Sequence, residues 1–185
     1  MTAREFDPLR LDVAVFARLG ATLQGEWPLV DLRRVVDAAH PHARPTQGSA
    51  ATWSARGELR QVRGATAQIW LHLRARTAVQ LECQRCLAPV EQILEVEQSF
   101  MFVVGEDAAA AIDVDSEHDV LAMTQALDLR ELIEDELLLA LPLVPRHEVC
   151  PEPLSAPPQT IDPGLEKESP FAALKALKRN GRSVI

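Results

Sequence analysis

Gln68-Ile69-Trp70-Leu71-His72-Leu73-Arg74-Ala75-Arg76-Thr77-Ala78-Val79-Gln80-Leu81-Glu82, running into Cys83-Gln84-Arg85-Cys86-Leu87, is the stretch that decides the fold. Ile69, Leu71, Leu73, Ala75, Val79 and Leu81 share one parity with Thr77, while Gln68, His72, Arg74, Arg76, Gln80 and Glu82 fill most of the other. A two-residue period of this kind is that of a strand with one buried face. Beyond the cysteines, Val90, Leu94, Val96, Phe100, Phe102 and Val104 again share a parity, opposed by Glu91, Glu95, Glu97 and Ser99. Two such runs around a short turn predict an antiparallel hairpin with the cysteine pair at its tip.

Working outward, 185 residues with 47% apolar content suffice for one domain with a real core. No run of eighteen uncharged apolar residues offers a membrane span, and the acidic residues of Met1-Thr2-Ala3-Arg4-Glu5-Phe6-Asp7 do not suit an export signal, so a cytoplasmic protein without membrane contact is expected. The net charge of -8 is uneven. Residues 1–100 carry 12 Lys/Arg against 11 Asp/Glu, and residues 101–185 carry 7 against 16. That balance argues against broad polyanion binding such as to DNA, although a local basic face remains compatible with phosphate contact. Three cysteines, an odd number, make a disulfide framework a poor reading and favour metal binding or reduced thiols.

The remaining elements follow in chain order. Asp7-Pro8 reads as the start of a helix carrying Leu9, Val13, Phe16 and Ala17, ended by Gly20. Residues 21–27 read as a short extended segment, and Pro28 to Ala39 as a second helix. Ala51, Trp53, Ala55 and Leu59 alternate with polar residues and predict the first strand of a three-stranded meander. Residues 105–119 are acidic and poor in large apolar groups, which predicts a solvated loop. Asp128 caps the clearest helix, with Leu129, Leu132, Ile133, Leu137 and Leu141 as its buried stripe and Glu131, Glu134 and Asp135 in water, and Pro142 ends it. The expected fold class is therefore α+β: an antiparallel sheet packed by a few helices within a single domain, residues 1–150. A Pro-rich linker, 151–168, then leads to a short basic helix and tail, 169–185.

Cys83-x-x-Cys86 and His147-x-x-Cys150 supply four soft or borderline ligands in two close pairs, the donor set of a tetrahedral structural zinc site that staples helix to sheet. The bland alternative is three reduced thiols and a loop histidine. A thioredoxin-like redox role is a poorer reading, because that motif belongs at a helix N-terminus and this pair lies between strands. Arg74, Arg76 and Arg85 are candidate RNA contacts, with Lys175, Lys178 and Arg179 of the tail as a second set. For the strand arginines, cross-strand pairing with Glu91, Glu95 and Glu97 is the favoured alternative, whereas Arg85 lies inside the turn with no strand partner. No phosphate loop, nucleophile motif or H-E-x-x-H is present, so nothing in the sequence asks for an enzyme.

Three stretches together resemble the bacterial YceD family of large ribosomal RNA subunit accumulation proteins. They are Leu81-Glu82-Cys83-Gln84-Arg85-Cys86-Leu87-Ala88-Pro89, Asp128-Leu129-Arg130-Glu131-Leu132-Ile133-Glu134-Asp135-Glu136-Leu137 through Pro145, and Ser169-Pro170-Phe171-Ala172-Ala173-Leu174-Lys175-Ala176-Leu177-Lys178-Arg179. Asp7-Pro8 and Leu23-Gln24-Gly25 also look like landmarks of that family. The resemblance implies a cytoplasmic, non-enzymatic factor needed for synthesis, processing or stability of 23S ribosomal RNA, with that RNA or its precursor as partner. Other branches of the family carry additional cysteine pairs that look like a zinc module, where this chain has His147 and Cys150. An alternative of another class is an acidic adaptor that holds a basic large-subunit ribosomal protein without touching RNA.

Overall fold

The computed structural model describes residues 6–64 and 66–151. The chain divides after Pro151, and every element below lies in the unit before that point. The expected linker 151–168 (beyond Pro151) and terminal helix 169–185, with Lys175, Lys178 and Arg179, lie outside the described residues.

The hairpin is built as its alternation predicts. Strands β3, Gln68–Glu82, and β4, Pro89–Val103, pair antiparallel from Ile69↔Phe102 to Glu82↔Pro89. Ile69, Leu71, Leu73, Ala75, Thr77, Val79 and Leu81 all point into the core, as do Val90, Leu94, Phe100 and Phe102. Val104 does not join them, because β4 ends at Val103 and Val104 stands in solvent.

Two further strands complete the antiparallel part, β1, Thr22–Pro28, and β2, Ala50–Arg60, so the strand expected to come first is second. A fifth, β5, Val120–Ala122, pairs parallel with β4 at Met101↔Val120, giving one mixed sheet in the order β1-β2-β3-β4-β5. The all-antiparallel expectation is corrected at this edge. A parallel partner needs a crossover, and helix α3, Glu106–Asp113, supplies it from within the stretch read as an acidic loop. Gly105, at φ 94°, turns the chain, alanines favour helix, and Glu106 and Asp107 suit the positive N-terminal end. Ala109 then packs with Trp70, Met101 and Val120 in a small second core on the outer face of the sheet.

On the inner face lie three more helices. Helix α1, Val13–Arg18, is capped by Asp12, whose Oδ1 accepts from Val15 N at 3.1 Å, so the helix begins later than the Asp7-Pro8 reading placed it. Asp7 instead closes a separate turn, accepting from Leu9 N. The second expected helix breaks at Leu32 into a 3-10 turn, Leu29–Asp31, and helix α2, Arg33–Ala38. Helix α4, Leu129–Leu139, begins at its expected cap: Asp128 Oδ1 accepts from Arg130 N and Glu131 N. Leu129, Ile133 and Leu137 are fully buried, each worth about 2–3 kcal/mol of apolar transfer. Leu132 and Leu141 are half-buried at the flank. Glu134 does not simply face water, because it accepts from Arg34 N at 2.7 Å and from Arg34 Nε at 3.1 Å, while the same guanidinium reaches Asp135. These bonds join α2 to α4.

Candidate metal centre

The hairpin tip is a turn whose backbone is arranged around sulfur. Leu87 N donates to Cys83 O at 2.8 Å and Cys83 N to Ala88 O at 3.0 Å, closing a tight loop. Leu87 sits at φ 61°, a left-handed conformation that costs a non-glycine residue about 1 kcal/mol or more. His40 helps to hold it there. His40 N donates to Gln80 O, and Nδ1 accepts from His42 N, so Nε2 carries the hydrogen donated to Leu87 O at 3.1 Å. In sequence His40 carries no local signal of this role.

Onto this tip comes the segment leaving α4. Gln84 N donates to Pro145 O at 2.9 Å, which sets His147 and Cys150 beside Cys83 and Cys86. The four ligand atoms all lie within 4.8 Å of one another. A zinc tetrahedron with sulfur at about 2.3 Å and nitrogen at about 2.0 Å has edges of roughly 3.5–3.8 Å. The 3.4 Å separation of Cys86 Sγ and His147 Nδ1 matches that spacing. His147 Nε2 lies 3.1 Å from Pro89 O and donates to it, leaving the Nδ1 lone pair free for a metal, the outer-shell arrangement typical of ligating histidines. All three cysteines are free thiols, and Cys83 is fully buried.

The electrostatics favour thiolate at the inner position. Burial pushes the Cys83 thiol up, but backbone N–H groups of Cys86, His147 and Arg85, together with the His147 side chain, outweigh it and bring the thiol down to about 5. Cys86 accepts from Ala88 N–H, yet burial and the adjacent Cys150 and Cys83 sulfurs raise it. One sulfur is thus ready to ionise while Cys86 beside it resists adding negative charge, a conflict that a divalent cation resolves. The cluster can hold a metal through four protein ligands, which leaves no open coordination position in a tetrahedral site and suits structure over catalysis.

The other candidate residues are placed as follows. Arg74 pairs with Glu97 at 2.5 Å and Arg76 with Glu95 at 3.0 Å, the cross-strand pairing favoured from the sequence. Arg56 and Arg60 both approach Glu58, so the strand arginines form mixed-charge ladders in place of a bare basic patch. Arg85 is turned onto the cluster: its Nε donates to Cys150 Sγ at 3.0 Å and its NH2 to the carbonyls of His147 and Glu148. A further constellation escaped the sequence reading, since its members are 14 and 27 residues apart. His72 Nδ1 lies 2.8 Å from Ser99 Oγ and Nε2 lies 2.7 Å from Glu58 Oε2. Ser99 sits in mid-strand directly across from His72.

Fold and site together define a class: a mixed-sheet α+β domain whose longest hairpin ends in a three-cysteine, one-histidine cluster closed by a distant segment of the chain. Comparison with known proteins then gives the family. The chain belongs to the family described as Large ribosomal RNA subunit accumulation protein YceD, whose sequence profile matches residues 71–178 and so takes in both ligand pairs. A protein named Large ribosomal RNA subunit accumulation protein YceD, from Haemophilus influenzae (strain ATCC 51907 / DSM 11121 / KW20 / Rd), is 37% identical over 107 residues. The alignment covers 55% of this chain and 60% of that relative's own length. No solved structure matches the chain. No helix among the described residues is long and apolar enough to cross a membrane.

Proposed function

We propose that this protein is a non-catalytic cytoplasmic factor required for the accumulation of large-subunit 23S ribosomal RNA, and that its domain is stapled by one structural zinc ion on Cys83, Cys86, His147 and Cys150. The observation that carries the first part is the family match over residues 71–178. Zinc, when bound, supplies a cross-link between hairpin tip and α4 exit; this chain's own residues orient the ligands and exclude water from Cys83. Depleting the protein in cells and measuring 23S against 16S RNA, precursor and mature, tests the role. A selective fall in 23S is expected, and an unchanged ratio would sink it. Metal analysis of untagged protein, expected to give one zinc per chain in the wild type and none in Cys83→Ser, tests the staple.

A second reading is favoured by a specific observation. The described residues hold 13 Arg against 22 Asp/Glu, and the strand arginines already face carboxylates. On that account the domain holds a basic large-subunit protein without touching RNA. Salt dependence separates the two. Each single-strand phosphate contact adds about 0.7 to the slope of log K against log salt. Contact through Lys175, Lys178 and Arg179 alone gives a slope near 2, and adding Arg74, Arg76 and Arg85 gives roughly 4. Absence of RNA binding, with a basic partner retained, supports the adaptor.

A further inference from the structure

We infer that Arg85 is the counter-cation and outer clamp of the three-cysteine, one-histidine site, a positioning residue for Cys150, and that its place in the C-x-x-C spacer serves the site itself and not RNA. The inference rests on the zinc reading above and adds to it the residue that completes the charge and the hydrogen bonding.

Charge is the first ground. Three thiolates, a neutral imidazole and a divalent cation sum to one negative charge, and one guanidinium cancels it. The contacts are the second. Cys86 Sγ lies 3.4 Å from His147 Nδ1. Cys150 arrives on the incoming segment, and its sulfur takes an N–H from the Arg85 side chain at 3.0 Å. The same guanidinium reaches His147 O at 3.0 Å and Glu148 O at 3.1 Å, gripping the segment at three successive points while Gln84 N grips it at Pro145 O. A planar fork with several donors does this; a lysine ammonium with a single head does not. A guanidinium satisfied on these edges, beside a negatively charged cluster, is a poor phosphate ligand.

Outer-shell partners of metal ligands typically change metal affinity by about 10- to 100-fold. Arg85 is exposed to solvent, which places the expected effect at the low end, about tenfold. The test uses the full chain loaded with zinc and challenged with a chromogenic chelator. Arg85→Met should release zinc about tenfold faster than wild type, Arg85→Gln, which keeps an N–H but not the charge, should fall between, and Arg74→Met should match wild type. In the cobalt-loaded protein the sulfur-to-metal charge-transfer absorption should move in Arg85→Met, because one thiolate loses its N–H donor, a change that a purely structural role would not produce. Release within about twofold of wild type, or a cobalt spectrum that does not move, overturns the inference while leaving the zinc reading intact. A wild-type chain that holds no zinc overturns both. Should Arg85→Met fail to fold, Arg85→Gln against wild type gives the same comparison.

Discussion

Gly57 sits in the middle of β2, paired with Leu71, and its inner side faces helix α1. A Cβ built there would lie 2.7 Å from Ala17 Cα, 2.8 Å from Ala17 N and 2.8 Å from the Phe16 carbonyl carbon. All three are backbone atoms, so no side chain can swing away. Ordinary contact begins at 3.4 Å, and α1 would have to retreat by 0.7 Å, the difference between that and the closest approach. Val13, Phe16 and Ala17 are buried to within 1% of full burial, so the retreat loosens the whole interface. Overpacking of this kind costs about 3 kcal/mol, and the lower unfolded-state entropy of alanine returns up to about 1. Gly57→Ala should therefore destabilise by about 2 kcal/mol, read as a melting temperature lowered by roughly 4–8 °C or a urea midpoint lowered by about 1 M. Gly48→Ala, where a Cβ meets nothing within 4 Å, is the control and should melt at or slightly above wild type. Adding Ala17→Gly to Gly57→Ala should not restore stability, because the clash is with the Ala17 backbone and not its methyl. A Gly57→Ala variant melting with wild type, or rescued by Ala17→Gly, would refute the packing argument.

Glu136 is raised above its usual carboxylate value, chiefly by burial and then by Asp119 and Asp135, so its charge opposes folding. Glu136→Gln should be more stable than wild type at neutral pH, with the advantage shrinking as pH falls through the raised value and gone below 4.5, where both states are protonated. Glu58 has the opposite sign: hydrogen bonds from His72 and then Arg60 lower it, so its stabilisation is full above 4.5 and is lost as pH falls through the depressed value. Melting curves of Glu58→Gln should show a deficit near neutrality that closes in acid. For Arg74 and Glu97, whose side chains are 70% and 73% exposed, a double-mutant cycle should return a coupling of about 0.5 kcal/mol or less, falling with added salt. Chelation of the zinc-loaded protein should speed amide exchange in 83–88 and 144–151 and leave Ile69–Leu81 protected. Uniform acceleration along the chain would contradict a local staple.

What was legible in the sequence is what repeats. The parity of β3 and β4 survives over fifteen residues each, long enough for alternation to outweigh single exceptions such as Trp70, which faces the second core. Helix α4 announced itself through Asp128 and a clean apolar stripe. The four candidate ligands grouped by chemical type, since spacing within each pair is local. What failed was short or non-local. A three-residue β5 carries no period to detect. In α3 the acidic side chains masked the helix preference of its alanines. Asp12 and Asp7 offer the same cap chemistry, and the choice between them is accompanied by long-range bonds, the antiparallel bridge of Leu11 to Leu127 and Leu129 N to Pro8 O. The partners of Arg34 and Arg85, about 100 and 65 positions away, are invisible to any local rule.

The position of the cluster follows from the lengths of the elements. Fifteen-residue strands make a hairpin roughly 50 Å long, whereas the eleven residues of α4 span only about 16 Å. A helix that short cannot shelter the whole inner face, and a two-stranded tip has little stability of its own. The Gln84–Pro145 and His40–Leu87 bonds and the four-ligand cluster all fall at that tip, where a local fastening has the most to stabilise. At the tip Arg85 is hydrogen-bonded to Cys150 and to the His147 and Glu148 carbonyls, as Arg76 and Arg74 are paired with Glu95 and Glu97. On the proposed function, metal binding and RNA contact are therefore separable demands on the chain. If RNA is contacted as proposed, Arg85 is held by the cluster and Arg74 and Arg76 by carboxylates, so phosphate contact falls to other cations.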